Sequence, residues 1–179
     1  MLPPRRHSRR LRGITLLELC MALALLAVFC LLALPSFSAT VSRVRADTLR
    51  MTLVSVFNSA RSTAITRNAP VAVCPSEDGR TCGHDWSQGW LIHRDRGTRT
   101  PSPAEEDIFQ YREGYRDATV RATTSQGRLR LRFQGDGRSG GSPSTVDICA
   151  GGGLSGQVIV NNVGRTRALR IRDITDCPR

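Results

Sequence analysis

The chain has 179 residues, with 26 arginines, no lysine and 15 acidic residues, which give a formal net charge of +11. The absence of lysine excludes a Walker-A phosphate loop and a lysine Schiff base, because each requires that amine. A chain of this length accommodates one membrane segment and one soluble domain of about 110 residues with a single core.

The N-terminal segment combines a basic leader with a long apolar run. The leader ends in Arg9-Arg10-Leu11-Arg12-Gly13, and the 21 residues from Ile14 to Leu34 contain Glu18 as their only charged residue. As a helix, this run would be about 31 Å long, which is enough to cross the hydrocarbon core of a bilayer. A carboxylate inside such a run is energetically costly and is normally functional.

This combination resembles the class III signal of type IV prepilins and type II secretion pseudopilins. The resemblance implies that a prepilin peptidase cuts after Gly13, and that Glu18 pairs with the terminal amine of Ile14 in a neighbouring subunit. Pro35 also fits, because many pilins kink or locally melt the helix there. The family usually has phenylalanine where this chain has Ile14. The resemblance therefore implies cleavage after Gly13 more strongly than N-methylation of Ile14.

Two other interpretations of the apolar run remain open. An ordinary secretory signal peptide would be cleaved near Ala39, but its hydrophobic region is usually about 7–15 residues long and carries no glutamate. A plain single-span anchor would merely tolerate Glu18 near the membrane surface. The spacing between Gly13 and Glu18 favours the prepilin signal over both.

The leader charge predicts the orientation of the chain and the state of its cysteines. Five arginines precede Gly13, so the positive-inside rule places the leader in the cytoplasm and the residues after Pro35 across the inner membrane. After cleavage, 21 arginines remain against 15 acids, a net charge of +6. The compartment beyond the inner membrane is oxidising, which favours disulfides.

The soluble part contains four cysteines, which allow three pairings. We favour Cys74 with Cys82, which closes a short loop, and Cys149 with Cys177, which ties the C-terminal tail to a strand. Cys20 and Cys30 lie in the apolar run, where we expect them to behave as small apolar residues.

After Pro35 a helical pattern continues to Asn68-Ala69-Pro70, which is expected to end it. Apolar residues recur at spacings of three and four, so they share one face of the helix. They are Leu49, Leu53, Val56, Phe57, Ala60 and Ala64. We therefore expect an amphipathic half-helix over residues 35–68 that packs on a globular domain.

Short strand patterns separated by turn residues fill the rest of the chain. In Arg128–Phe133 arginines and apolar residues alternate strictly, which predicts a strand with one wet face and one core face. The predicted strands are Val71–Cys74, Gly89–His93, Ile108–Tyr111, Thr119–Arg121, Leu129–Phe133, Val146–Cys149, Gln157–Val160 and Ala168–Ile171. A helix followed by antiparallel strands is an α+β arrangement.

Several later motifs resemble the FimT/GspH type of minor pilin. They are Cys74-Pro75, Cys82, Trp86, Gly89-Trp90 and Gly164-Arg165-Thr166-Arg167. The resemblance implies a type IV pilin-like fold, in which a long N-terminal helix packs on an antiparallel β-sheet domain. The expected organisation is a leader over 1–13, a transmembrane half-helix over 14–34, an amphipathic half-helix over 35–68 and a periplasmic domain over 69–179.

The sequence gives little support for catalysis. His84 and His93 are the only histidines outside the leader, and no GxSxG-like nucleophile elbow accompanies them. Cys82-Gly83-His84 near Cys74 has poor spacing for zinc, so we expect no metal and no cofactor. The tryptophans could stack on bases. The apolar strand around Trp90 favours core packing, whereas Trp86, in a Gly/Asp/Ser-rich loop, is expected to be more open.

Arginines dominate the C-terminal third, with ten from Arg121 to Arg179 against four acids. The guanidinium group suits phosphate because it stays charged and presents a planar fork. Gly164-Arg165-Thr166-Arg167 matches a GRxR motif that is associated with DNA binding in FimT-type pilins of natural transformation, so Arg165 and Arg167 are the predicted phosphate contacts. Further candidates for electrostatic support are Arg130, Arg132, Arg170 and Arg172. A solvated, arginine-rich face without a ligand is the simpler alternative.

These observations lead to the hypothesis of a minor type IV pilin that binds DNA non-specifically during uptake and supports pilus assembly. Its expected partners are other major and minor pilins, the prepilin peptidase, DNA and the inner membrane. The main alternative is a GspH-type pseudopilin of type II secretion, or a structural pilus-priming subunit, without DNA binding. A periplasmic enzyme would require a concave site at His84 or His93.

Overall fold

The computed structural model describes residues 15–97, 102–114, 119–125, 128–140, 143–171 and 175–178. The predictions for Gly13, Ile14 and Arg172 fall outside these residues. The contacts divide the chain between Ser38 and Ala39 into two compact units.

The first element is a 52-residue helix, α1 (Leu16–Arg67), which stays helical at Pro35. Thr15 caps its N-terminus, because the Thr15 hydroxyl oxygen accepts the backbone N–H of Glu18 at 3.2 Å. Large apolar side chains between Leu16 and Leu31 are exposed. Among the residues with a described position, we find no helical stretch that has both the length and the apolarity needed to cross a membrane.

The second half of α1 buries the predicted apolar stripe. All six of its side chains are at most 7% exposed. The helix ends as predicted at Asn68, which adopts a left-handed conformation with φ of 46°. The Asn68 N–H donates to the Ile65 carbonyl at 3.1 Å and the Ala69 N–H donates to the Ala64 carbonyl at 3.2 Å. This pair of bonds is a Schellman motif, which satisfies carbonyls that the helix end would leave unpaired.

Two antiparallel sheets follow the helix. The first, sheet A, has the order β3-β2-β1-β5, and the second, sheet B, has the order β4-β6-β7-β8. The strands are β1 (Val71–Pro75), β2 (Gly89–Arg94), β3 (Ile108–Glu113), β4 (Val120–Thr124), β5 (Leu131–Phe133), β6 (Ser144–Ala150), β7 (Gly153–Val160) and β8 (Thr166–Arg170). A short 3₁₀ turn, Glu105–Asp107, precedes β3.

The core forms where the helical stripe meets the inner faces of both sheets. It combines Leu53 and Phe57 of α1 with Val73 and Ile92 of sheet A and with alternate residues of sheet B, such as Val158. Within the described residues, each predicted strand is present, with shifted ends. The predicted α+β arrangement of a long helix and antiparallel strands is confirmed.

Trp86 contradicts the expectation of an open loop tryptophan, because it is only 1% exposed. Its ring meets Phe57 edge-on with 5.2 Å between the ring centroids, and its indole N–H donates to the Thr124 hydroxyl at 3.0 Å. Trp90 is also buried, as predicted. Neither tryptophan is therefore available as a stacking platform for bases.

The two disulfides join Cys74 to Cys82 and Cys149 to Cys177, with 5.6 and 6.0 Å between the respective Cα atoms. These are the pairs that the sequence favoured. The first closes the loop after β1, and the second holds the C-terminal tail against β6.

Candidate functional site

The GRxR motif begins in the turn that joins β7 to β8. Gly164 has φ of 77°, in the left-handed region, and its N–H donates to the Asn161 carbonyl at 2.9 Å. The Asn161 side-chain oxygen accepts the Arg165 N–H at 2.8 Å, and the Asn161 N–H donates to the Arg165 carbonyl at 3.1 Å. One asparagine thus closes the hairpin and fixes the backbone at Arg165.

Gly164 is also the point where three separate segments meet. A Cβ atom at this position would overlap the carbonyl oxygen of Gly137, in the loop between β5 and β6. That same oxygen accepts a hydrogen bond from the Arg61 Nε of α1 at 3.0 Å. The Ser139 N–H donates to the Asn162 carbonyl at 3.1 Å, so a hydrogen bond also joins the loop to the hairpin.

The alternation of side chains along β8 separates its arginines onto two faces. Arg170 lies on the inner face, where its guanidinium group forms an ion pair with Asp47 of α1. Successive residues of a strand point to opposite faces, so Arg167 and Leu169 lie on the outer face of sheet B. Arg165 and Arg167 are both exposed. The predicted i, i+2 pair is therefore presented to solvent at the edge of sheet B.

The other predicted arginines are not gathered around this pair. Arg132 belongs to sheet A, where its Nε lies 2.5 Å from the Asp95 carboxylate. Arg130 lines a cavity of about 340 Å³ beside His93 and also has a partner. Arg170 shares Asp47 with Arg50, whose Nη2 lies 3.1 Å from the carboxylate.

Two arginines that the sequence did not single out lie close to the GRxR turn. Arg61 contacts Gly137 through its Nε, and Arg138 follows Gly137 and is exposed. Gly137 packs on Gly164, so Arg138 and Arg165, which follow these glycines in the chain, flank the same close approach. We define the arginine edge as Arg61, Arg138, Arg165 and Arg167. In the sequence, Arg138 lies in a Gly-rich turn. The sequence of that turn does not indicate that it packs against the turn between β7 and β8.

Glu18 is exposed near the N-terminus of α1. Thr15 and Glu18 have the spacing of a capping box, and the structure shows the half in which threonine accepts the glutamate N–H. A carboxylate in the first turn also interacts favourably with the helix dipole. The described contact uses the backbone N–H of Glu18, so the role of its carboxylate in assembly stays a prediction.

His93 is buried on β2, and its Nδ1 lies 2.8 Å from the Arg94 carbonyl. Burial lowers the pKa of His93 from its ordinary value. Ligand atoms of His93, Cys74 and Cys82 lie within 4.8 Å of one another. The two sulfurs are joined in a disulfide, so neither is a thiolate that could hold a metal ion.

The carboxylate of Asp107 lies next to this region, and its Oδ2 accepts a hydrogen bond from the Arg96 Nε at 2.6 Å. The Arg96 guanidinium group lowers the pKa of Asp107 from its ordinary value. This acid is thus committed to an ion pair and stays charged, which does not suit proton transfer near neutral pH.

The family model described as the type II transport protein GspH matches residues 50–164, well over half of the chain. The chain belongs to this family. Among solved structures, the GspH-family chain is similar to the type IV minor pilin FimU of Pseudomonas aeruginosa, with a TM-score of 0.57 and 21% identity over 72% of this chain and 90% of FimU. A second crystal form of FimU gives a TM-score of 0.54 and 19% identity, over 68% and 90% of the two chains.

The solution structure of Escherichia coli GspH aligns with a TM-score of 0.45 and 13% identity, over 73% and 92% of the two chains. No match was found among the curated proteins. The identities to FimU establish the fold alone. Together with the family match, they confirm the predicted type IV pilin-like fold for this GspH-family chain.

Proposed function

We propose that this chain is a minor type IV pilin that is incorporated into a pilus, supports its assembly and binds DNA through the arginine edge. It is made as a prepilin, held in the inner membrane by residues 14–34 and cleaved after Gly13. The apolar run and the exposed apolar side chains from Leu16 to Leu31 support the anchoring step. Glu18 would then pair with the Ile14 amine of a neighbouring pilin during assembly.

One observation carries the proposal of DNA binding. Arg165 and Arg167 are exposed, and within the described part of the chain neither forms an ion pair with a carboxylate. Arg132 and Arg170, in contrast, are each paired with an aspartate. An unpaired guanidinium group does not have to break an existing ion pair before it contacts a phosphate. Arg165 and Arg167 are therefore the favoured primary contacts, and the paired arginines contribute mainly to the long-range field.

Contacts of this kind are made to the DNA backbone, so binding should be independent of sequence and strongly dependent on salt. The test is a titration of a fluorescein-labelled duplex with the full chain in a non-ionic detergent, at several salt concentrations. We expect salt-sensitive binding that an Arg165→Ala/Arg167→Ala double variant weakens strongly.

The matched control is Arg80→Ala/Arg112→Ala, which removes the same charge from two exposed positions on sheet A and the loop after β1. If wild type does not bind, or if the two double variants lose the same affinity, DNA binding by the arginine edge is wrong.

A second candidate function is a GspH-type pseudopilin of type II secretion, or a purely structural priming subunit. The description of the matching family as a type II transport protein favours it. Deletion of the gene, with transformation, pilus number and protein secretion scored separately, distinguishes the two functions. A loss of secretion with normal transformation and normal pili would favour the pseudopilin and overturn the pilus proposal.

A further inference from the structure

A second basic region lies on sheet B, at the edge opposite β8. It is a cleft of about 620 Å³, and its lining includes Arg121, Arg128, His84, Thr123, Ser125 and Cys177. Arg121 and Thr123 belong to β4, while Cys177 is held there by its disulfide to Cys149. The tail disulfide thus forms part of the wall of the cleft.

The chemistry of the cleft suits a phosphodiester backbone. Among the residues that the structure describes, its lining contains two arginines, one histidine and several hydroxyl groups, but no carboxylate. Arg121 and Arg128 are exposed, and neither is ion-paired within the residues that the structure describes. Guanidinium and hydroxyl groups are common donors to phosphate oxygens in protein–DNA contacts.

The cleft and Arg167 share one face of the sheet. Val120 and Ala122 of β4 are buried in the core. Arg121 and Thr123 alternate with them along the strand and therefore point outward. Arg167 points to the same outer face, because Arg170 lies on the inner one. A ligand lying across the outer face of sheet B would therefore meet both groups of arginines.

The strand register gives the separation of the two groups. Arg121 pairs with Cys149 of β6, whereas Arg167 pairs with Ile159 and, through it, with Thr145 of β6. Three strand spacings of about 4.8 Å and four residues of about 3.4 Å along the strand give a diagonal of roughly 20 Å. At 3.4 Å per base step, this distance corresponds to about six steps of a DNA strand.

We infer that the cleft is a second phosphate-binding site, which contacts the same DNA molecule as the arginine edge about six base steps away. This inference rests on the proposed DNA binding. Asp147 lies between the two sites, and its Oδ1 accepts a hydrogen bond from the Gln157 side chain at 2.7 Å, with the aspartate only 1% exposed. The DNA would therefore pass over a buried carboxylate that is already bonded.

The test compares three double variants of the full chain in detergent, with a fluorescein-labelled 20-bp duplex as the probe. They are Arg121→Ala/Arg128→Ala, Arg165→Ala/Arg167→Ala and the control Arg80→Ala/Arg112→Ala. The cleft variant should reduce the slope of log K against log salt by about 1.8, since each lost phosphate contact contributes about 0.9. The same relation gives roughly 60-fold weaker binding at 0.1 M salt.

The affinities of the three variants distinguish binding at the cleft from binding at the arginine edge. If the cleft variant matches the control while Arg165→Ala/Arg167→Ala loses affinity, the second site is wrong and the arginine edge stands. If only the cleft variant loses affinity, the arginine edge is wrong. If wild type does not bind the duplex at all, both are wrong. All six arginines are exposed, so the variants should keep their fold, and circular dichroism checks this.

Discussion

Replacing Gly164 with alanine should destabilise the domain strongly, although the substitution adds only one methyl group. A non-glycine residue in the left-handed region costs about 1–2 kcal/mol, and Gly164 has φ of 77°. The new Cβ would also displace the Gly137 carbonyl, which accepts the charged hydrogen bond from Arg61. A hydrogen bond to a charged group contributes about 1.5–3 kcal/mol. We therefore expect the free energy of unfolding to fall by about 2.5–5 kcal/mol.

Gly151→Ala is the matched control for this prediction. Gly151 has φ of 61°, and apart from its chain neighbours no atom of the described residues lies within 4 Å of an added Cβ. It should therefore lose only the conformational cost of about 1–2 kcal/mol. Urea unfolding with both disulfides intact measures the two variants under the same conditions. If Gly164→Ala is no less stable than Gly151→Ala, the close approach of the two loops does not hold the arginine edge in place.

Three further predictions concern other parts of the chain. Phe57→Ala should lower the free energy of unfolding by about 3–5 kcal/mol and alter the fluorescence of Trp86, whose ring it contacts; unchanged urea unfolding would contradict this. Backbone N–H groups of Thr81 and Arg80 lower the pKa of Asp78, so its stabilising effect is present above about pH 4 and is lost as the pH falls further. Asp78→Asn should therefore lower the Tm at pH 7 and lower it by less at pH 2, and equal Tm values at pH 7 would argue against it. If Glu18 directs assembly, Glu18→Gln should remove the subunit from sheared pili on immunoblots but not from the membrane fraction, and normal incorporation would refute this role.

The helix and the strands could be predicted from sequence because their signals are local. The stripe from Leu49 to Ala64 repeats at helical spacing, and the strand patterns are bounded by turn residues. The burial of Trp86 could not be predicted, because it depends on Phe57 of α1 and Thr124 of β4. The composition of a Gly/Asp/Ser-rich loop does not indicate which residues from other elements pack against it.

The arginine edge was predictable only in part for the same reason. Arg165 and Arg167 were found from a contiguous motif, whereas Arg61 contacts a residue 76 positions away in the chain. The ion pair of Arg170 with Asp47 spans 123 positions. The sequence does not distinguish one arginine from another. Ion pairs with residues far away in the chain determine which guanidinium groups remain available to a ligand.

The position of β8 has a consequence for how copies of the chain associate. Within the described part of sheet B, β8 pairs with β7 on one side only, so the other edge of its backbone is open. Exposed edge strands invite pairing with another sheet, and charged side chains oppose it. In the part of the chain that the structure describes, Arg165 and Arg167 are unpaired charges at this edge, so two such edges would repel each other on approach.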